Sequence, residues 1–123
     1  RPDAGRLEVY AGSLDGLSAE PVWTYSGTGV RAQLGGAVSY LGDINDDGYG
    51  DIVASEPNYA NGHALEGRVL VFLGGEDGLE EEPAWTREEN VSGARLGHSL
   101  SKAVDLDANT FNDLLVGAPG WGA

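Results

Sequence analysis

Nine consecutive residues, Asp43-Ile44-Asn45-Asp46-Asp47-Gly48-Tyr49-Gly50-Asp51, gather most of the chemistry this chain can offer. Asp43, Asn45, Asp47 and Asp51 stand at the first, third, fifth and ninth positions. Carboxylates this close repel more than a turn ordinarily tolerates. A hard cation at the centre removes the conflict, and Ca2+ takes about six to eight oxygens at this kind of spacing. Tyr49, at the seventh position, would give its backbone carbonyl, leaving its side chain free to face the core. Gly48 supplies the positive φ that lets the loop close. The rival reading is a helix-flanked calcium hand, which needs a bidentate Glu at the twelfth position. Here that position is Ala54, and Ile52-Val53-Ala54 reads as a strand. A loop between two strands is therefore expected; the plainer alternative is an acidic surface turn with no ion.

A second copy of the pattern favours the ion. Asp105-Leu106-Asp107-Ala108-Asn109-Thr110-Phe111-Asn112-Asp113 begins 62 positions later. Asp105, Asp107, Asn109 and Asp113 fill the side-chain roles, and Phe111 takes the place of Tyr49. Thr110 replaces the glycine. A β-branched residue at positive φ costs about 1 kcal/mol or more. The second site is therefore expected to be weaker or its turn distorted.

The elements that must position these loops repeat with them. Shifted by 62, 18 of 61 aligned pairs are identical without a gap. Gly5-Arg6-Leu7-Glu8-Val9-Tyr10 matches Gly67-Arg68-Val69-Leu70-Val71-Phe72. Asp15-Gly16-Leu17 matches Asp77-Gly78-Leu79. Glu20-Pro21-Val22-Trp23-Thr24 matches Glu82-Pro83-Ala84-Trp85-Thr86. One supersecondary unit recurs, so each copy must bury a face against its neighbour. Each unit reads as four strands: about Leu34–Leu41, Asp51–Ala54, Gly67–Leu73 and a short one around Ala84-Trp85-Thr86. Pro57 ends the second strand because it cannot donate to a ladder. Trp23 and Trp85 are expected to pack between units. The acidic stretch Glu76–Glu82 is expected to be a solvated loop. No apolar stripe of helical period and length occurs. The chain opens on a third and fourth strand (Gly5–Tyr10, Val22–Tyr25) and closes on a first and second (Leu96–Ala103, Asp113–Val116). Residues 1–30 thus make a half-sheet, 31–92 a complete sheet and 93–123 another half.

Composition agrees. Twenty glycines among 123 residues suit many short strands and tight turns. There is no cysteine, so no disulfide contributes. No apolar run approaches the length of a membrane helix, and Arg1-Pro2-Asp3 does not open a signal peptide, so a mature chain or excised fragment is expected. The formal charge is −13. Two Ca2+ ions would add +4 and leave about −9, which argues against nucleic acid and anionic membranes as partners.

Taken together these residues resemble the FG-GAP repeat of the integrin α-subunit β-propeller. Leu34-Gly35 and Leu96-Gly97 stand where that repeat has Phe-Gly or Leu-Gly. The two acidic loops stand for its DxDxDGxxD segment. Gly117-Ala118-Pro119 is its Gly-Ala-Pro in full, and Ser55-Glu56-Pro57 departs from it. The resemblance covers nearly the whole chain. It implies an all-β fold of propeller blades, one whole four-stranded antiparallel blade flanked by two half-blades. It implies two Ca2+ sites, one held by Asp43, Asn45, Asp47, Tyr49 (carbonyl) and Asp51, the other by Asp105, Asp107, Asn109, Phe111 (carbonyl) and Asp113. Propellers have about four to eight blades, so this length makes only part of a ring. The terminal half-blades are expected to pair with other copies of the chain or to belong to a longer propeller.

The resemblance implies a calcium-stabilised, non-catalytic scaffold for protein binding or adhesion, outside the cell or on its surface, where Ca2+ is plentiful. A lectin-like propeller is the alternative, with Tyr25, Tyr59 or Trp121 stacking on a glycan, although each reads first as core or rim. Catalysis is not expected. The acids sit at ligand spacing, where a cation would neutralise them. His63 and His98 lie in unlike contexts, and Ser99 beside His98 has no orienting acid or oxyanion loop. Asn90-Val91-Ser92 matches the short glycosylation pattern, which has many false positives.

Overall fold

A computed structural model describes residues 1–102 and 104–122 of the chain. Among the described residues there are ten strands and no helix. They are β1 (Arg6–Val9), β2 (Gly12–Ser13), β3 (Gly16–Leu17), β4 (Trp23–Ser26), β5 (Val38–Gly42), β6 (Asp51–Glu56), β7 (Arg68–Phe72), β8 (Trp85–Glu88), β9 (Ser99–Leu100) and β10 (Val116–Gly117). The sheet β5-β6-β7-β8 is antiparallel throughout and forms one complete blade. β1 pairs with β4 before it, and β9 pairs with β10 after it. The small hairpin β2-β3 was not expected from the sequence.

The blade is buried on both faces because its two central strands send apolar side chains to either side. Ala54, Leu70 and Phe72 face the first half-blade and pack with Leu7 and Leu34. Val53, Val69 and Val71 point the other way and pack with Leu41 and Leu96. Adjacent residues therefore enter opposite cores, as the two-residue period of a strand requires. A strand buried on both sides reads as a continuous apolar run, and Val69-Leu70-Val71-Phe72 is such a run. Trp23 and Tyr25 of β4 meet Phe72 edge-on, with centroids 5.1 and 4.9 Å away. The Trp23 indole also donates to the Glu80 carbonyl at 3.2 Å, so that tryptophan joins half-blade to blade. Its counterpart Trp85 is 48% exposed and only lines the gap beside Leu114.

Neighbouring units are stitched by backbone as well. Gly5 bridges Leu34 in parallel, and Gly67 bridges Leu96 in the same way. At Gly67, φ is +84° and a Cβ would lie 2.2 Å from the Leu96 nitrogen, so only glycine fits. This explains why Leu34 and Leu96 do not begin the first strand of each unit. They end the crossover from the preceding unit, and pairing starts at Val38 and Ser99. The expected strand Leu96–Ala103 and half-blade 93–123 end on Ala103 and Ala123, which lie outside the described residues.

The departure Ser55-Glu56-Pro57 has a structural role. Glu56 is fully buried and accepts from Arg68 Nε at 2.7 Å across the β6–β7 pair. The Tyr59 ring covers that guanidinium at 4.2 Å. Glu66 is buried too, but neither of its oxygens has a hydrogen-bond partner. Burial pushes its carboxyl above the ordinary value, Glu88 adds to this, and His63 at 4.0 Å opposes it.

Two outcomes follow from this packing. Phe72→Ala should lower stability by about 3–5 kcal/mol, read by urea unfolding; a change well under this would mean the half-blade does not pack as described. Glu66 has a raised folded-state pKa, so its stability contribution is full below the unfolded value of 4.5 and is lost as pH rises through the folded one. Glu66→Gln should therefore raise the melting point at about pH 8 and not near pH 4. Equal effects at both pH values would show that burial does not govern Glu66.

Candidate metal centres

Both acidic segments form the turn between the first and second strands of a unit. The first links β5 to β6. The second follows β9 and ends at Asp113, which bridges Val104. Strands flank each one, so the helix-flanked alternative is excluded.

The two turns share one hydrogen-bond scheme. Asp43 accepts from the amides of Asp47 (3.0 Å) and Gly48 (2.6 Å). Asp105 accepts from the equivalent amides of Asn109 (3.1 Å) and Thr110 (2.7 Å). The fifth residue takes the seventh amide in both: Asp47 from Tyr49, Asn109 from Phe111, each at 3.0 Å. The ninth takes the second: Asp51 from Ile44 at 2.8 Å, Asp113 from Leu106 at 2.7 Å. The turns close through left-handed residues at matched places. Gly48 has φ of +90° and Thr110 has φ of +77°. Thr110 therefore keeps the turn undistorted and carries the strain itself. Asp46 and Ala108 are left-handed as well, which no residue type at those positions announced.

Asp51 is the most constrained of the ten expected ligands. It is fully buried, and its second oxygen accepts from Gly74 at 2.8 Å, just past β7. Asp113 is partly buried. Asp43, Asn45, Asp47, Asp105, Asp107 and Asn109 lie at or near the surface. The side chains of Tyr49 and Phe111 do not face the core; they are 42% and 46% exposed.

The donor chemistry fits a hard divalent ion. Oxygens bound on opposite sides of Ca2+ at about 2.4 Å each are about 4.8 Å apart. One oxygen each from Asp105, Asp107 and Asp113 falls within 4.8 Å of the others. Among the described residues, no other three acidic or histidine side chains converge this closely. Thus the turn with threonine in place of glycine brings its carboxylates together. In the first turn, Asn45 occupies the third position and the acids are spread to Asp43, Asp47 and Asp51.

The residues named as catalytic or sugar-binding alternatives are placed elsewhere. Tyr25 packs on Phe72 and Tyr59 on Arg68. Trp121 is exposed and donates to Glu89 at 3.1 Å. His98 and Ser99 are exposed at the start of β9.

A fully antiparallel four-stranded blade between two half-blades, with its neighbours covering both faces, defines the chain as a segment of a β-propeller. No protein-family model matches the sequence. Integrin alpha-PS5 of Drosophila melanogaster is 44% identical over 95 residues, covering 72% of this chain and 9% of that protein. Integrin alpha-IIb of Mus musculus is 40% identical over 101 residues, covering 81% and 10%. Integrin alpha-8 of Gallus gallus is 39% identical over 126 residues, covering 98% and 12%. The chain belongs to the integrin α-type FG-GAP repeat family, and it spans about a tenth of the length of these relatives.

The clasps have an acid-titration signature. Desolvation raises the Asp43 carboxyl, but hydrogen bonds led by the Gly48 and Asp47 amides outweigh it and hold the group below its ordinary value. Asp105 is lowered in the same way, against desolvation, by Thr110 and Asn109. Each therefore contributes stability above the unfolded value of 3.8, and loses it as pH falls through the lowered folded value. NMR titration of the ion-free protein should place both midpoints below 3.8. Midpoints at or above that value would show that the amide clasps do not persist in solution.

Proposed function

We propose that the chain is a non-catalytic β-propeller segment, stabilised by two Ca2+ ions, that serves protein binding in adhesion outside the cell or at its surface. The observation that carries this is the paired turn, in which side-chain oxygens at equivalent positions clasp equivalent amides 62 positions apart. One Ca2+ is held by the side chains of Asp43, Asn45, Asp47 and Asp51 and the carbonyl of Tyr49. The other is held by Asp105, Asp107, Asn109 and Asp113 and the carbonyl of Phe111. Each bound ion supplies positive charge that offsets the loop carboxylates, so its binding energy becomes folding energy. The second site is the weaker, because Thr110 keeps a strained left-handed backbone.

The blade boundaries are 1–30, 31–92 and 93–123. The half-blades β1-β4 and β9-β10 present unpaired edges, and such edges accept further strands. Those strands come from a longer propeller or from another copy of the chain. The protein ligand is bound by the assembled ring.

Removing Ca2+ tests the reading directly. An ion at a hundredfold excess over its Kd adds about 2.7 kcal/mol, or about 10 °C in melting temperature for a domain of this size. Excess chelator should remove about that much for each site, and Asp47→Ala should abolish the first site's increment while the second ion still binds. A melting curve that chelator does not move would rule out structural Ca2+ at these turns.

A further inference from the structure

The two turns belong to different blades, yet the second reaches the strand end that leads into the first. Asn112 stands between Phe111 and Asp113 in the second turn, and its Nδ2 donates to the Leu41 carbonyl at 3.0 Å. Leu41 is buried and lies two residues before Asp43, the start of the first turn. Gly42, between them, has φ of +70° and sits where the β5–β6 register shifts. A Cβ at Gly42 would lie 2.6 Å from Asn112 Nδ2, so the missing side chain makes room for the amide. Gly42 also pairs with Asp51, which closes the first turn. The contact is continued by side chains. Ile44 of the first turn and Leu114, just past the second, pack on the same inter-blade core. Ile44, Asn112 and Asp113 line one cavity of ≈ 300 Å³.

We propose that Asn112 couples the two loops, so that an ion bound in either turn strengthens binding in the other. This rests on both turns taking Ca2+. An ion in the second turn fixes the backbone from Phe111 to Asp113 and so holds the Asn112 amide on Leu41. That contact in turn holds the Gly42 bulge, from which Asp43 projects. The first turn then has less disorder to lose when its own ion arrives, and ordering shared between two sites appears as positive cooperativity. Linkage makes the effect reciprocal. Asn112 is a positioning residue and contributes no ligand atom in this scheme.

The first turn shows how to break the contact without breaking the loop. Gly50 occupies the place equivalent to Asn112 in a turn with the same clasps. Asn112→Gly should therefore fold and retain both sites. The test is Ca2+ titration of the 123-residue chain, with the backbone amide NMR signals of Gly48 and Thr110 reporting each turn separately. In the wild type, Asp107→Ala should weaken the first site by about 5-fold or more, and Asp47→Ala should weaken the second by the same factor. In the Asn112→Gly background both factors should fall to one while two ions still bind. Two ions binding independently in the wild type would overturn the coupling and leave the ion sites standing. Coupling that survives Asn112→Gly would overturn the role of Asn112. No Ca2+ uptake at either turn would overturn the ion sites and the coupling together.

Discussion

A carboxylate that accepts backbone amides is the interaction on which the rest of this structure depends. Asp51 is the fullest case. It has no solvent exposure, yet both its oxygens are engaged, by Ile44 and by Gly74. A buried carboxylate without partners would be costly. With two amides it becomes a three-way joint between the turn, the start of β6 and the end of β7. Asp113 repeats the first of those bonds. The clasps from Asp43 and Asp105 curl each turn, and in the second turn the side chains of Asp105, Asp107 and Asp113 approach one another. The repulsion this creates is what a bound cation would relieve.

The second constraint is that a blade with two apolar faces needs two neighbours. β6 and β7 send alternate residues into two separate cores. Neither core belongs to one unit alone. The first is shared with Leu7, Trp23 and Tyr25 of the preceding half-blade, and the second with Leu100, Leu114 and Val116 of the following one. Stability is then a property of interfaces between repeats, as in other repeat architectures. The parallel bridges at Gly5 and Gly67 set how closely successive units approach.

How much was legible in advance depended on range. The 62-residue repeat, the four strands of each unit and the loop between the first two all leave local marks: alternation, glycine, proline and Asx spacing. So did the left-handed turn at Gly48. The strand start at Val38 was missed because Leu34 belongs to a crossover whose partner, Gly5, is 29 positions away in the chain. Tyr49 and Phe111 were expected to face the core, and nothing in their own neighbourhood signals that they stay exposed. Threonine at position 110 suggested a distorted turn, whereas four amide bonds to Asp105, Asn109 and Asp113 hold it in the same conformation as its glycine counterpart.

The sequence by itself determined the unit: its length, its strand pattern, its turn chemistry and its cluster of acidic residues. These follow from interactions within a few residues, where side-chain period and backbone preference act directly. Only the tertiary structure decided which contacts join one unit to the next. Asn112 reaching Leu41 spans 71 positions, and Trp23 reaching Glu80 spans 57. Such contacts depend on where a neighbouring blade places its backbone, and no local pattern of residues encodes that distance.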